Sequence, residues 1–469
     1  MKVFTNPCLP APLPLLLLLL FTLAIAAAQD PISILSDKFP NKARTIGFGK
    51  TLAIQYNLYA TEKVPSKMIE TDDNNPPAAA AAIKPEIIEM KRLKIWSDDA
   101  VVKVNRKPVP IPNVVYLNGS SSSISNLLLS IYPNGTTEVL EIGENGARSF
   151  TKMPGHSVFS ERQIKPLAAG SKKFTCGTNS THTHNHEDDG DVGSKSGATL
   201  DLSSSHHKAK KRASIMASTA QYKAVIAIDT DYDYYIKFSN TDAAINYAAK
   251  LLALSNLVFS QETNVDFQLG TLYITTDYYD DYYWDITTTD EGLDALQLVW
   301  DTTETKTPRA LAHLLSGKNL GGGVAYCPCY RLSNGAWECS TTERVLCGWY
   351  ESPTDNKGYG VSAVHGDDSY WDYTVVLHEL GHNFGSPHTH DYCGLFGDAS
   401  PIDECYGGCC SSCGNRLPGC SNNFYYGGYK GPGTIMSYCH VFFGESNVVS
   451  NSTTSKIHTL EQNFYLIIH

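Results

Sequence analysis

His378-Glu379-Leu380-Gly381-His382-Asn383-Phe384-Gly385-Ser386-Pro387-His388 is the stretch that decides how this chain reads. Trp371 to Asn383 is predicted as a helix, on which His378 and His382 stand four residues apart, one turn, on one face. Two imidazoles so placed can take adjacent corners of a tetrahedral Zn²⁺ site at about 2.0–2.1 Å. Glu379 follows the first ligand directly, where its carboxylate can reach a water on the ion without ligating the metal. Gly385 tolerates positive φ, so the chain can turn sharply and bring His388 back as a third ligand. His390 is an alternative third ligand on paper, but His388 has the matching spacing. The fourth position stays open for water, which marks a catalytic site rather than a structural one. A bare HExxH has low specificity. The extended HExxHxxGxxH fixes six elements of one geometry, and histidines merely packed in a core helix would not need the glycine or the third histidine.

Further along stands Gly433-Thr434-Ile435-Met436-Ser437-Tyr438, and upstream stands Gly321-Gly322-Gly323-Val324-Ala325-Tyr326. Together with the histidine motif, these resemble the metzincin zinc endopeptidases, and the string HELGHNFGSPH is most similar to the adamalysin (reprolysin-like) branch. The resemblance covers residues 213–469. It implies an α/β fold with a twisted, mostly parallel sheet and helices, the zinc lying in a cleft between two subdomains. It implies Met436 beneath the metal ligands, and residues 321–326 as a strand beside the cleft onto which substrate adds antiparallel. Two features depart from the adamalysin pattern. Thr389, not Asp, follows His388. Tyr438, two residues after Met436, is closer to the astacin and serralysin pattern, in which that tyrosine ligates zinc or steadies the transition state. The implied reaction is hydrolysis of peptide bonds by a zinc-activated water. Glu379 acts as general base and then general acid, and Tyr438 donates to the oxyanion.

Length and charge set the frame around the motif. The 469 residues suit two or three domains, and 42% hydrophobic with 18% charged residues is the mix of an ordinary globular protein. The net charge of −11 disfavours nucleic acid as a partner. It divides unevenly: residues 1–212 carry 25 Lys+Arg against 19 Asp+Glu, and residues 213–469 carry 12 against 29. Lys2, the apolar run Leu13 to Ala26 and the small residues Ala26-Ala27-Ala28 form a secretory signal peptide over 1–28, too short for a spanning helix. Residues 29–180 read as a β-rich propeptide, in which Leu127–Ile131 and Val139–Ile142 flank a Pro133-Asn134-Gly135 hairpin turn. Residues 181–212 lose all apolar periodicity. They read as a disordered linker, with its histidines (His182, His184, His186, His206, His207) in solvent, ending in a basic processing site at Arg212. In the second half, Ala224–Ile228 suits a buried central strand and Asp242–Val258 a helix capped by Thr241. Val265, Phe267 and Leu269 then alternate as a further strand. Tyr278–Asp285 reads as an acidic surface loop. Aspartates this dense can bind Ca²⁺, but no calcium site is indicated.

Of 13 cysteines, eleven crowd between Cys327 and Cys439. In an oxidising compartment these favour disulfides, with a structural zinc site at Cys405, Cys409, Cys410, Cys413 and Cys420 as the alternative. Asn118, Asn134, Asn179 and Asn451 head glycosylation sequons. Phe174-Thr175-Cys176-Gly177 resembles the cysteine switch of metzincin zymogens, in which a propeptide thiolate occupies the open position on zinc. The alternative is that Cys176 pairs with one of the odd number of cysteines in 213–469.

The expectation is therefore a secreted zinc endopeptidase made as a zymogen. Its partners are protein or peptide substrates and its own propeptide as inhibitor. No disintegrin-like domain or membrane anchor is expected, because 33 residues follow Met436. Lys456 to His469 is barely long enough for a closing helix. The rival is a secreted, disulfide-rich binding or adhesion protein that kept the fold and lost turnover. Glu379 and all three histidines are present, which favours the enzyme.

Overall fold

The computed structural model describes residues 32–56, 86–121, 126–143, 146–162, 175–176, 222–326, 329–331, 337–339, 358–367, 370–386, 388 and 435–436. The N-terminal portion contributes β1 (Ile32–Ser33), α1 (Phe39–Thr45), β2 (Thr51–Tyr56), β3 (Glu86–Arg92), β4 (Trp96–Val104) and β5 (Lys107–Val109). It continues with β6 (Val115–Gly119), β7 (Asn126–Ile131), β8 (Thr137–Gly143), β9 (Gly146–Lys152), β10 (Ser160–Arg162) and β11 (Thr175–Cys176). The second portion follows with β12 (Tyr222–Thr230), α2 (Tyr232–Tyr235), α3 (Thr241–Glu262), β13 (Val265–Ile274), α4 (Thr289–Thr302) and β14 (Leu311–Ser316). It ends with β15 (Gly322–Ala325), β16 (Cys329–Arg331), β17 (Trp337–Cys339), β18 (Tyr359–Ala363) and α5 (Tyr370–Asn383).

The sheet that carries the site has the order β11-β15-β18-β14-β12-β13-β4-β5. Most of its pairings are parallel. The exceptions are β15 against β18 and β4 against β5. A parallel sheet must be covered on both faces, which is why β12 is apolar almost throughout. Ile226 and Ile228 face α3 and α5 in one core, whereas Ala227 faces α4 in another. The result is an α/β layer arrangement. A capping box opens α4, with Thr288 and Glu291 exchanging bonds with each other's backbone. The N-cap of α3 is Asn240, one residue before the expected Thr241, because its side chain accepts from the Ala243 amide. Thr241–Gln261 is long and apolar enough to cross a membrane by length and composition, but 89% of its most apolar window is buried. It is a core helix, packed on the β13 side of the sheet.

The other large sheet, β1-β2-β3-β6-β7-β8-β9-β10, lies on the far side of α3. Every residue of β7 is buried. Leu128 joins the core around α3, while Leu127 and Leu129 join the core beneath α1. The expected turn between β7 and β8 is present, with Gly135 at φ 90°. The described residues before 177 are mostly strand, yet one piece leaves its sheet. β4 runs parallel to β13 and adds itself, with β5, to the edge of the second sheet. In the acidic loop, Tyr279 is exposed as expected, but Asp281 and Tyr283 are buried and support the fold. The expected signal peptide, the expected linker ending at Arg212, Cys405–Cys420, Tyr438 and the expected closing helix over 456–469 lie outside the described residues.

His313 on β14 is buried, with Nε2 bonded to Ser362 Oγ at 2.9 Å and no hydrogen-bond partner for Nδ1. Burial without an acid beside it pushes the ring down to about 3, so it folds neutral. The depressed value means that its contribution to stability is complete above the unfolded pKa of about 6.5 and is lost as pH falls toward the folded value. Within that window it makes stability fall by up to about 1.4 kcal/mol per pH unit. In His313→Gln, urea unfolding followed between pH 7 and 4 should show a slope smaller by about one proton. An unchanged slope would mean that His313 is not the buried neutral base described.

Candidate active site

The elements around the motif position each side chain by ordinary helix and turn physics. α5 enters from a tight loop whose amides are collected by Asp372. Its carboxylate accepts from His365 N and Gly366 N and from Tyr247 OH, each at 2.7 Å. Trp371 Nε1 donates to Ala363 O at 3.0 Å and pins the first turn to the end of β18. The helix ends in a Schellman turn: Ser386 N bonds Gly381 O at 3.1 Å, Gly385 N bonds His382 O at 2.8 Å, and Gly385 takes φ 86°. Phe384, at the cap, wedges between Phe259 and Phe267, with ring centroids 5.1 and 5.4 Å away. Asn383 ties the same end to the sheet, its Nδ2 donating to Tyr326 O at 2.9 Å and Tyr359 O at 3.0 Å. The motif therefore rests on a helix fixed at both ends.

All three histidines are buried, and their ring nitrogens converge. His382 Nε2 lies 3.1 Å from His378 Nε2 and 3.1 Å from His388 Nε2. His378 Nδ1 is 2.7 Å from Ile435 O, and His382 Nδ1 is 2.7 Å from Ser386 O. A carbonyl can only accept, so both Nδ1 atoms carry the proton and both Nε2 atoms present lone pairs. Lone pairs facing one another at that distance repel unless a cation sits between them. A tetrahedral ion with bonds of about 2.0–2.1 Å spaces its nitrogens about 3.3–3.4 Å apart, close to what is found. The residues fit a divalent metal ion.

Glu379 is fully buried on the same turn and lies against the backbone of β15. A Cβ at Gly323 would fall 2.5 Å from its Cγ and its Oε1. The glycine run at 321–323 thus makes room for the carboxylate. Met436 is buried, and a Cβ on Gly381 would run into its Sδ. The methionine turn therefore sits against the helix between the first two ligands, and its neighbour Ile435 orients the first. These backbone contributions, Ile435 O and Ser386 O, have no side-chain signature and could not be found from the sequence. Asn383 carried a signal only as the last helical residue.

On the opposite edge of β15, β11 pairs in parallel, setting Thr175 against Gly322 and Cys176 against Gly323. The structure thus brings the Cys176 backbone to the strand that supports Glu379. A second group, His365, Asp367 and Asp372, also has ligand atoms within 4.8 Å of one another. There the Asp372 carboxylate already serves the α5 entry loop.

An α/β domain with three converging imidazoles, a neighbouring glutamate and a methionine turn beneath them is that of a metallopeptidase. The chain belongs to metallo-peptidase family M12, whose family model matches residues 218–452. Among solved structures it is similar to metalloproteinase-II from Bacteroides fragilis, at 9% identity and a TM-score of 0.35, over 67% of this chain and 81% of that one. No curated protein matches the chain.

Proposed function

We propose that this chain is a secreted zinc endopeptidase made as a zymogen, on the adamalysin-like branch of the metzincins. Residues 1–28 form the signal, 29–180 the propeptide, 181–212 the linker cut after Arg212, and 213–469 the protease. The observation that carries the proposal is the convergence of three Nε2 atoms beside Glu379. An all-imidazole set with an open position suits zinc. Bound there, zinc supplies the Lewis acid that polarises a scissile carbonyl and makes water nucleophilic near neutral pH.

The chain's own residues do the rest. His378 and His382 are held in one orientation by Ile435 O and Ser386 O, so the ligand geometry is set before any substrate arrives. Glu379, fixed against Gly323, takes the proton of the attacking water and delivers it to the leaving nitrogen. Tyr438, two residues beyond Met436, is assigned the hydrogen bond to the developing oxyanion. On the family resemblance, a substrate strand lies antiparallel along β15. β11 occupies that edge with the opposite polarity, which supports a latent state in which Cys176 is the switch residue.

The test is hydrolysis of casein by residues 213–469, cut after Arg212 and separated from the N-terminal part. Activity should vanish with a zinc chelator and return when Zn²⁺ is added back. Absence of hydrolysis by a chain holding one zinc per molecule would overturn the proposal and favour a silent binding protein.

A further inference from the structure

The turn between β4 and β5 is made by Asn105 and Arg106, both left-handed at φ 45° and 62°. Two-residue hairpins of this kind favour Asn-Gly, and an arginine in the second position is strained. The strain coincides with a dense set of contacts. Asn105 and Thr276 bond reciprocally, Nδ2 to Oγ1 at 2.8 Å and amide to Oδ1 at 2.7 Å, while Asn105 N reaches Ile274 O at 3.0 Å. The Arg106 guanidinium lies 4.1 Å over the Tyr273 ring and 4.9 Å from the Tyr282 ring. Its two amino groups reach Asp229 Oδ2 and Glu304 Oε1, each at 3.4 Å. Asp229 is fully buried and already accepts from Tyr283 OH at 2.9 Å, Trp300 Nε1 at 3.1 Å and the Thr230 amide at 3.0 Å. Neutral donors alone leave a buried carboxylate poorly compensated, and Arg106 brings the opposite charge.

Asp229, Tyr273, Tyr282 and Glu304 all come from the second portion of the chain, and Arg106 comes from the first. The linker between them, 181–212, is where cleavage is proposed. We propose that Asp229, Glu304, Tyr273 and Tyr282 form a guanidinium-binding socket on the protease unit, and that Arg106 in this socket keeps the 96–109 hairpin bound after the linker is cut. A planar fork between two carboxylates and two aromatic faces is chemistry for which arginine is suited and lysine is not. The pairing of β4 with β13 supplies the rest of the grip. Cutting the linker would then leave a non-covalent complex, and release of the N-terminal part becomes a separate step.

The inference takes the cleavage position from the function proposed above, but its test needs no activity. The full chain carrying Glu379→Ala and a site-specific protease sequence inserted in 181–212 is cut, diluted and followed by size-exclusion chromatography. The two fragments should co-elute. Arg106→Ala should shorten the lifetime of the complex by about 10–100-fold, the range for a lost hydrogen bond to a charged partner. Arg106→Lys should fall between the two. Circular dichroism of the uncut variants checks that they fold; if Arg106→Ala does not, Arg106→Lys decides. Fragments that separate at once in the parent, or a lifetime unchanged by either substitution, would overturn the socket.

Discussion

Glu379→Gln is expected to lower peptide hydrolysis by about 10²–10⁴-fold, the range contributed by a positioned general acid–base. The substitution preserves size and keeps a polar end against Gly323, so the buried turn of α5 should stand. Glutamine cannot accept the proton of the attacking water, whereas the three imidazoles are untouched. Metal content measured by atomic absorption should stay at one ion per chain while kcat collapses and KM changes little. Retained turnover would remove Glu379 from the chemistry. Loss of metal together with activity would show that the glutamate holds the site rather than working in it.

Gly323→Ala should be nearly as damaging, from the other side of the same contact. Gly323 does not sit in the left-handed region, unlike its neighbours Gly321 and Gly322, so alanine is allowed by the backbone. The obstacle is steric: the new methyl would sit 2.5 Å from Glu379 Cγ and Oε1. Either the carboxylate is displaced from its position or β15 moves away from α5. Overpacking of this kind costs about 1–3 kcal/mol, which thermal unfolding would register. Activity should fall by at least about 10²-fold, because a displacement of about 1 Å at a reacting centre has that effect. Wild-type activity in Gly323→Ala would mean that Glu379 tolerates another position and that the glycine serves only close packing.

How much of this site was legible in the sequence follows from the range of the interactions concerned. His378, His382, Gly385 and His388 were readable because helix period and positive φ act over a few residues. The same holds for β12, α3 and β13, apart from the one-residue shift of the α3 cap to Asn240. What could not be read depends on partners distant in sequence. Nothing local to 96–109 distinguishes a strand that pairs with β13 from one that stays with β3, because strand preference reports a half-buried surface and not a neighbour. Asp229 and His313 carry no local sequence signal, and only burial gives them their character. Arg106 had a faint signal, an arginine where a hairpin turn prefers glycine.

The turn that ends α5 has one more consequence. The carbonyl that steadies the His382 ring, Ser386 O, is delivered by the same Schellman geometry that redirects the chain toward His388. Orientation of one ligand and arrival of the next are thus a single backbone event. The six-residue interval from His382 to His388 works as a length gauge: adding or removing one residue would detune both ligands at once.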